Sequence, residues 1–127
     1  MDWMQPKTRR MSSPRAKPAV RARVVHTDGP RRKLDVFVTE PVQAQLGWKL
    51  GQMVEVHFSA TSGAMILRMR PAHRGLTLRK DAKTTRTARV TISGAPLAPT
   101  MCAKVREVPY SFSDGVLFAH LPAEWFA

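Results

Sequence analysis

The chain has 127 residues, with 21 Lys or Arg against 9 Asp or Glu and a formal net charge of +12. This length suits one domain with a modest core, and so large a positive surplus disfavours a compact chain by self-repulsion unless a polyanionic partner offsets it. One cysteine, Cys102, excludes an intramolecular disulfide and a cysteine-based metal site, and no apolar run is long enough to cross a membrane, so we expect a protein of the reducing cytoplasm.

The first 33 residues differ in composition from the rest of the chain. They hold ten Lys or Arg against Asp2 and Asp28, so ten positive charges minus two negative ones give +8. Prolines at positions 6, 14, 18 and 30 interrupt any helix, and apolar residues are too sparse to offset the entropy of ordering. We therefore predict a disordered basic arm over residues 1–33, within which 22–26 could form a short strand.

A folded β-rich domain is predicted over residues 34–127. Its first part contains three predicted strands, of which the first two have period-two character and the third returns after a Ser-Gly turn as the second arm of a hairpin. These predicted strands are 34–39, 54–58 and 64–69. After the first strand, Pro41 suits the first turn of a short helix and Gly47 suits its C-terminal cap.

A second series follows in a similar order. Its predicted strands are 75–79, 87–92, 105–112 and 116–121, and Pro109 places the third at an edge or bulge. Both series run through a strand, a Pro-containing connection, a strand, a Ser/Gly turn and a strand. We predict a mainly β fold with short helices, in which two fused βαββ halves, 34–71 and 86–122, form a monomeric pseudo-dimer. The alternatives are a homodimer and an ordinary small β protein without duplication.

Three stretches of the first half carry a resemblance to a known family. They are 36–38 (VFV), 41–48 (PVQAQLGW) and 49–56 (KLGQMVEV). A strand, a short helix closing on Leu-Gly, a Gly-Gln turn and a Val-Glu-Val strand in this order resemble the AbrB/MazE/SpoVT swapped-hairpin family over residues 36–69, with a possible repeat at 88–121. The resemblance implies a β-hairpin fold or small barrel that presents basic side chains to DNA, as in transition regulators and antitoxins. Gln43, Ala44 and Gln45 stand where such DNA binders often carry Arg or Lys.

Cationic contacts must therefore come from other parts of the chain. Lys and Arg side chains bind phosphates with release of counterions, which gives salt-dependent affinity for nucleic acid. The basic arm and the segment 68–89 are the two candidates, and the second could form a continuous cationic stripe or a solvated linker. The predicted nucleic-acid-binding residues are Arg21, Arg23, Arg31, Arg32, Lys33, Arg68, Arg70, Arg74, Arg79, Lys80 and Arg86.

Motifs for catalysis or metal binding are not found in the sequence. The four histidines are far apart, and neither a nucleophile elbow nor a phosphate-binding lysine loop is present. We expect a binding protein without cofactor or metal, rather than an enzyme. The leading hypothesis is a cytoplasmic, regulator-like DNA-binding protein of prokaryotic or phage origin, with DNA favoured over RNA. The alternatives are a protein-interaction module, such as an antitoxin-like inhibitor or a phage factor that binds an acidic host protein, and an RNA- or ribosome-associated protein.

Overall fold

The computed structural model describes residues 17–26, 32–82 and 86–127. These residues form ten strands, one α-helix and a short 3-10 turn, which confirms the prediction of a mainly β fold with little helix. The strands are β1 (Val20–His26), β2 (Arg32–Val38), β3 (Met53–Thr61), β4 (Ala64–Pro71), β5 (Leu76–Thr77), β6 (Arg79–Lys80), β7 (Ala88–Ser93), β8 (Ala103–Val108), β9 (Tyr110–Ser113) and β10 (Val116–Pro122). Helix α1 spans Glu40–Leu46 between β2 and β3, and the 3-10 turn spans Ala123–Trp125.

The strands form two antiparallel sheets that enclose one core. Sheet A has the order β6-β7-β2-β1-β8, and sheet B has the order β9-β10-β4-β3-β5. Alternate residues of both sheets are buried in a single hydrophobic cluster, which includes Val36 and Val90 from sheet A and Leu67 and Leu117 from sheet B. Because both sheets cover the same core, their outer faces point away from each other.

The described strands do not close into the small barrel that the sequence resemblance implies. Two segments, 76–80 and 103–113, pass from one sheet to the other, and the pairing changes at Leu78 and at Pro109. Proline has no backbone N–H with which to continue a ladder, and Leu78 is fully buried at the crossing between β5 and β6. Within the described residues, the chain thus joins the sheets at these two corners and through helix α1, and not by continuous hydrogen bonding.

Strand β1 corrects the predicted boundary of the basic arm. It pairs with both β2 and β8, so it lies inside sheet A and not in a disordered leader. Val20, Ala22 and Val24 are buried and alternate with more exposed residues. Burial of alternate apolar residues stabilises the strand and offsets the entropy cost of ordering it. The overall composition of the arm did not indicate this stabilisation. The remaining parts of the predicted arm, 1–16 and 27–31, lie outside the described residues.

The pairings of the two predicted halves correspond to one another. Strand β2 pairs with β7 in sheet A, and β4 pairs with β10 in sheet B. Two-residue turns at 62–63 and 114–115 close the hairpins β3-β4 and β9-β10, and the indole of Trp48 donates a hydrogen bond of 2.9 Å to the carbonyl of Gly115. These contacts interlock the halves, so neither half contains a complete sheet.

The halves differ in the connection after their first strand. Helix α1 occupies this position in the first half and is held by Gln43, whose amide donates to the carbonyls of Val38 and Arg86. The segment 94–102 of the second half is irregular, so the predicted βαββ pattern is wrong there. Pro96 and Pro99 disfavour a helix at these positions, and Leu97 forms an isolated bridge with Phe126 instead.

Candidate nucleic-acid interface on the outer face of sheet A

The outer face of sheet A collects basic side chains from four of its strands. Residues that point away from the core alternate with buried residues along β1 and β7, whereas β2 is buried on both faces from Leu34 to Val38. The strand register places a single row across the sheet, in the order Arg79, Arg89, Phe37, Arg21 and Glu107. Arg23 and Lys33 lie further along the same face, beside this row. We refer to Arg21, Arg23, Lys33, Arg79 and Arg89 as the cationic face.

Arg23 is held in place by its neighbours on the cationic face. Its Nε donates to Oδ2 of Asp35 at 2.9 Å, and its guanidinium lies 5.2 Å from the ring centroid of Phe37. Asp35 is buried and also accepts a hydrogen bond of 2.7 Å from the hydroxyl of Thr91. The one acid in the middle of the face is thus engaged, and a partly exposed guanidinium covers it.

At one edge of the cationic face, two cations share Glu107. Lys17 Nζ lies 3.2 Å and Arg21 Nη2 lies 3.4 Å from Oε2 of Glu107. The hydrogen bond from Lys17 and the nearby positive charges hold the pKa of Glu107 below its ordinary value. Because these side chains are largely exposed, the ion pairs are weak and can exchange for contacts with an incoming phosphate.

The opposite edge is formed by the short strand β6. Arg79 is exposed and stands directly opposite Arg89, whose Nη1 lies 3.7 Å from Oδ1 of Asp81. Lys80 is also exposed, although its register partner Ala88 points to the core. Adjacent like charges destabilise a strand pair, so the Arg79–Arg89 neighbours indicate a surface that gains from an anionic partner.

Several predicted residues lie away from the cationic face. Arg68 and Arg70 are on the outer face of sheet B, opposite His57 and Glu55. Arg68 Nη2 is 3.2 Å from Nδ1 of His57, and Arg70 forms an ion pair with Glu55. The continuous stripe over 68–89, one of the two alternatives for this segment, is therefore wrong, because β4 and β5 belong to sheet B whereas β6 and β7 belong to sheet A.

The remaining predicted nucleic-acid-binding residues are Arg74, Arg86, Arg32 and Arg31. Arg74 is exposed in the loop between β4 and β5, and Arg86 Nη1 lies 3.5 Å from Oε2 of Glu40 on helix α1. Arg32 begins β2, and its Nε donates to the carbonyl of Met101. Arg31 lies outside the described residues.

The structure also adds functional candidates that the sequence reasoning did not select. Arg89 was part of a basic segment, but its central place on the cationic face depends on the pairing of β7 with both β2 and β6. Its position between the buried residues Ala88 and Val90 is the local signal that could have placed it on an outer face. Asp35 and Thr91 gave no comparable signal, because their contact joins strands that are distant in sequence.

Some other kinds of site are not found in the described part of the chain. Residues 17–26, 32–82 and 86–127 hold no group of three or more His, Cys, Asp or Glu arranged to bind a metal ion. Over the same ranges, no helix has the length and apolar character needed to cross a membrane. Comparisons of the chain with protein families, with curated proteins and with solved structures found no match.

Proposed function

We propose that this protein binds nucleic acid through the cationic face of sheet A, with duplex DNA as its main target and gene regulation in the cytoplasm as its role. The observation that carries the proposal is the row of Arg79, Arg89 and Arg21 on one face. Arg23 and Lys33 lie beside this row and extend the positively charged surface along the strands. The acids within reach of this face, Asp35, Glu107 and Asp81, are already engaged by cations.

The dimensions of the row suit a duplex. Arg79 and Arg21 stand on strands β6 and β1, which are three strand spacings apart, or about 14 Å. The major groove of B-DNA is about 12 Å wide. The two ends of the row can therefore contact phosphates on either side of one groove, while Arg89 lies between them.

Binding of this kind positions the protein without reading much sequence. Contacts to phosphates fix register and orientation, whereas base contacts carry sequence information. Arg23 is the side chain best prepared for a directed contact, because Asp35 and Phe37 restrict its orientation. The resemblance of residues 36–69 to a DNA-binding family supports DNA over RNA as the polyanion. In this proposal, one chain supplies both halves of what would otherwise be a dimer.

The test compares two double variants that remove equal charge, one from the cationic face and one from elsewhere on the surface. Arg21→Gln with Arg79→Gln removes one ion-paired and one exposed arginine from the cationic face. Arg70→Gln with Arg74→Gln removes an ion-paired and an exposed arginine elsewhere, with the same net charge. We expect the first pair to reduce the salt slope of binding by about 2, since each phosphate contact contributes roughly 0.9. The second pair should leave it nearly unchanged.

The measurement is fluorescence anisotropy of a labelled 20-base-pair duplex, titrated at several KCl concentrations. Equal losses in the two double variants would show that total charge, and not the cationic face, governs binding. No salt-dependent binding by the wild-type protein would overturn the proposal and favour an acidic protein as the partner. A marked preference for an RNA duplex of the same sequence would replace DNA by RNA.

A further inference from the structure

A cleft of about 1000 Å³ opens on the outer side of sheet A, at the end of the cationic face. Its floor is formed by β2 and β7, and its wall is the irregular loop between β7 and β8. A volume of this size matches the larger small-molecule sites of proteins. The cleft is therefore large enough to enclose a ligand much bigger than a single inorganic ion.

Two kinds of surface meet in the cleft. Lys33 stands directly opposite Ser93, whose hydroxyl lies at the same end of the cleft. Arg89 lines the other end, and Asp35 and Thr91 lie between the two ends. Lys33 forms no ion pair with any residue in the described part of the chain, whereas Arg89 lies 3.7 Å from Asp81. Asp35 is already engaged by Arg23 and Thr91. The end of the cleft beside Lys33 and Ser93 therefore suits an anionic group with several acceptor oxygens, such as a phosphate.

The opposite wall is apolar. Ala95, Leu97 and Pro99 of the loop line it, and Leu97 and Ala95 pack against the hydrophobic core, while Val25 of β1 lies beside Lys33. A ligand that fills the cleft must therefore carry a flat or compact apolar part beside its anionic group. A free phosphate or sulfate would leave this wall in contact with water.

The loop that forms the wall is fixed at several points. The amide of Ala98 donates to the carbonyl of Trp125 at 2.8 Å, and the carbonyl of Pro96 accepts from Ala127 at 3.0 Å. Thr100, which also lines the cleft, has a φ of 62°. A β-branched residue in this left-handed region is strained, and such strain is concentrated at binding sites, where surrounding contacts maintain it. These contacts keep the wall away from the floor and the cleft open.

We propose that this cleft binds a single nucleotide unit, with its phosphate on Lys33 and Ser93 and its base against Leu97 and Pro99. The inference deepens the proposed function and rests on it only where the nucleotide belongs to a nucleic-acid strand. A free nucleoside monophosphate and an unpaired nucleotide at the end of a bound duplex offer the same chemistry. The two sources are separated by the experiment.

The first arm uses free ligands and isothermal titration calorimetry at low ionic strength. AMP is expected to bind at least about tenfold more tightly than adenosine or inorganic phosphate, because only AMP engages both sides of the cleft. Ser93→Trp places a bulky side chain at the exposed end of β7 and keeps every charge. It should weaken AMP binding about tenfold or more. Ser111→Trp, at an exposed strand position of sheet B, is the matched control and should bind AMP as the wild type does.

A second variant changes a charge and adds no bulk, so it tests AMP binding even if Ser93→Trp folds poorly. Lys33→Gln should weaken AMP about tenfold and leave the weak binding of adenosine unchanged, since adenosine has no phosphate. The thermal midpoint of each variant is measured alongside. A loss that is equal for AMP and adenosine would contradict the assignment of the phosphate to Lys33.

The second arm compares a blunt duplex with the same duplex carrying a three-nucleotide single-stranded overhang. Tighter binding of the overhang that is lost in Ser93→Trp, with blunt-duplex binding unchanged, supports the proposal with a strand as the source, even if AMP does not bind. The proposal is overturned if neither AMP nor the overhang responds to Ser93→Trp. The proposed DNA binding would survive that result, because it is judged on the blunt duplex with the Arg21 and Arg79 variants.

Discussion

The outer faces of the two sheets use arginine in different ways. On sheet A, Arg79, Arg89 and Arg21 share one row, and the central acid Asp35 is buried beneath Arg23. On sheet B, Arg70 is matched by Glu55 on the neighbouring strand, and Arg68 lies beside His57. Sheet A therefore gathers five cations and a cleft on one face, although three of these cations have an acid partner, whereas sheet B carries two arginines, of which Arg70 is paired with an acid.

This difference shows why net charge alone is a poor guide to a binding site. The chain carries +12 overall, and basic residues are present on both faces. Arginines on both faces have acids within reach, so what distinguishes the faces is how many cations share one surface and how deeply the acids are buried. Substitutions at equivalent pairs on the two faces can therefore test the distinction directly.

The largest difference is expected when one arginine is removed from each face. Arg23→Met leaves the buried carboxylate of Asp35 with only Thr91 as a partner among the described residues. We expect a loss of about 2–3 kcal/mol in the free energy of unfolding, reduced from the full cost of a broken buried pair because Arg23 is partly exposed. Arg70→Met should produce no resolvable loss, because Glu55 stays in contact with water. Urea denaturation followed by circular dichroism measures both.

A second substitution tests the cause of that loss. Asp35→Asn in the Arg23→Met background removes the buried charge, so part of the lost stability should return. If the double variant is no more stable than Arg23→Met, then lost packing on Phe37 explains the effect and the buried carboxylate does not.

A smaller and opposite effect is expected from removing one acid on each face. Glu107→Gln releases Lys17 and Arg21 from their shared partner at the edge of the cationic face. Binding to a duplex should tighten about threefold at low salt, and the gain should disappear at high salt. Glu55→Gln releases Arg70 on sheet B and changes the net charge equally. An equal gain from Glu55→Gln would remove the distinction between the faces.

The smallest expected effect is a shift in the titration of these two acids. The hydrogen bond from Arg70 holds the pKa of Glu55 below its ordinary value of 4.5, and the hydrogen bond from Lys17 does the same for Glu107. A lowered pKa means that each ion pair favours the folded state above pH 4.5 and ceases to do so as the pH falls through the folded pKa. Saturating duplex DNA should raise the pKa of Glu107 and not that of Glu55, because phosphates compete for Lys17 and Arg21. Carboxyl carbon NMR resolves the two groups, and a shift of Glu55 alone would contradict the interface.

Local sequence patterns predicted most of the individual elements. The alternation of apolar and polar residues indicated β3 and β7, the apolar segments after Ser/Gly turns indicated β4 and β10, and Pro41 with Gly47 marked helix α1. The central place of β1 was missed, because three buried residues in a strongly basic segment give too weak a composition signal. The break at Pro109 was expected, but the transfer of the chain to the other sheet depends on pairing partners far away in sequence.

Only part of the candidate site could be predicted from the sequence, because the site also depends on strand pairing. Arg21, Arg23, Lys33 and Arg79 were selected for their charge, and the structure brings them together on one face. Arg68 and Arg70 were selected on the same ground and lie on the other sheet. Charge is a property of each residue, but its clustering depends on strand order, which local patterns do not specify.

The interlocked strands also have a consequence for how this chain reaches its native state. Strand β1 obtains its second neighbour only when β8 arrives, and the contact between Arg21 and Glu107 spans 86 positions. Closing such long loops lowers the entropy of the chain before the stabilising contacts have formed. The folding rate should therefore resemble that of slow all-β domains, in milliseconds to seconds. During synthesis, the β1-β2 hairpin leaves the ribosome long before its partner strand exists. Until β8 pairs with it, the edge of β1 has unpaired backbone groups that could pair with another chain. Repulsion among the arginines of the hairpin will oppose this association of nascent chains.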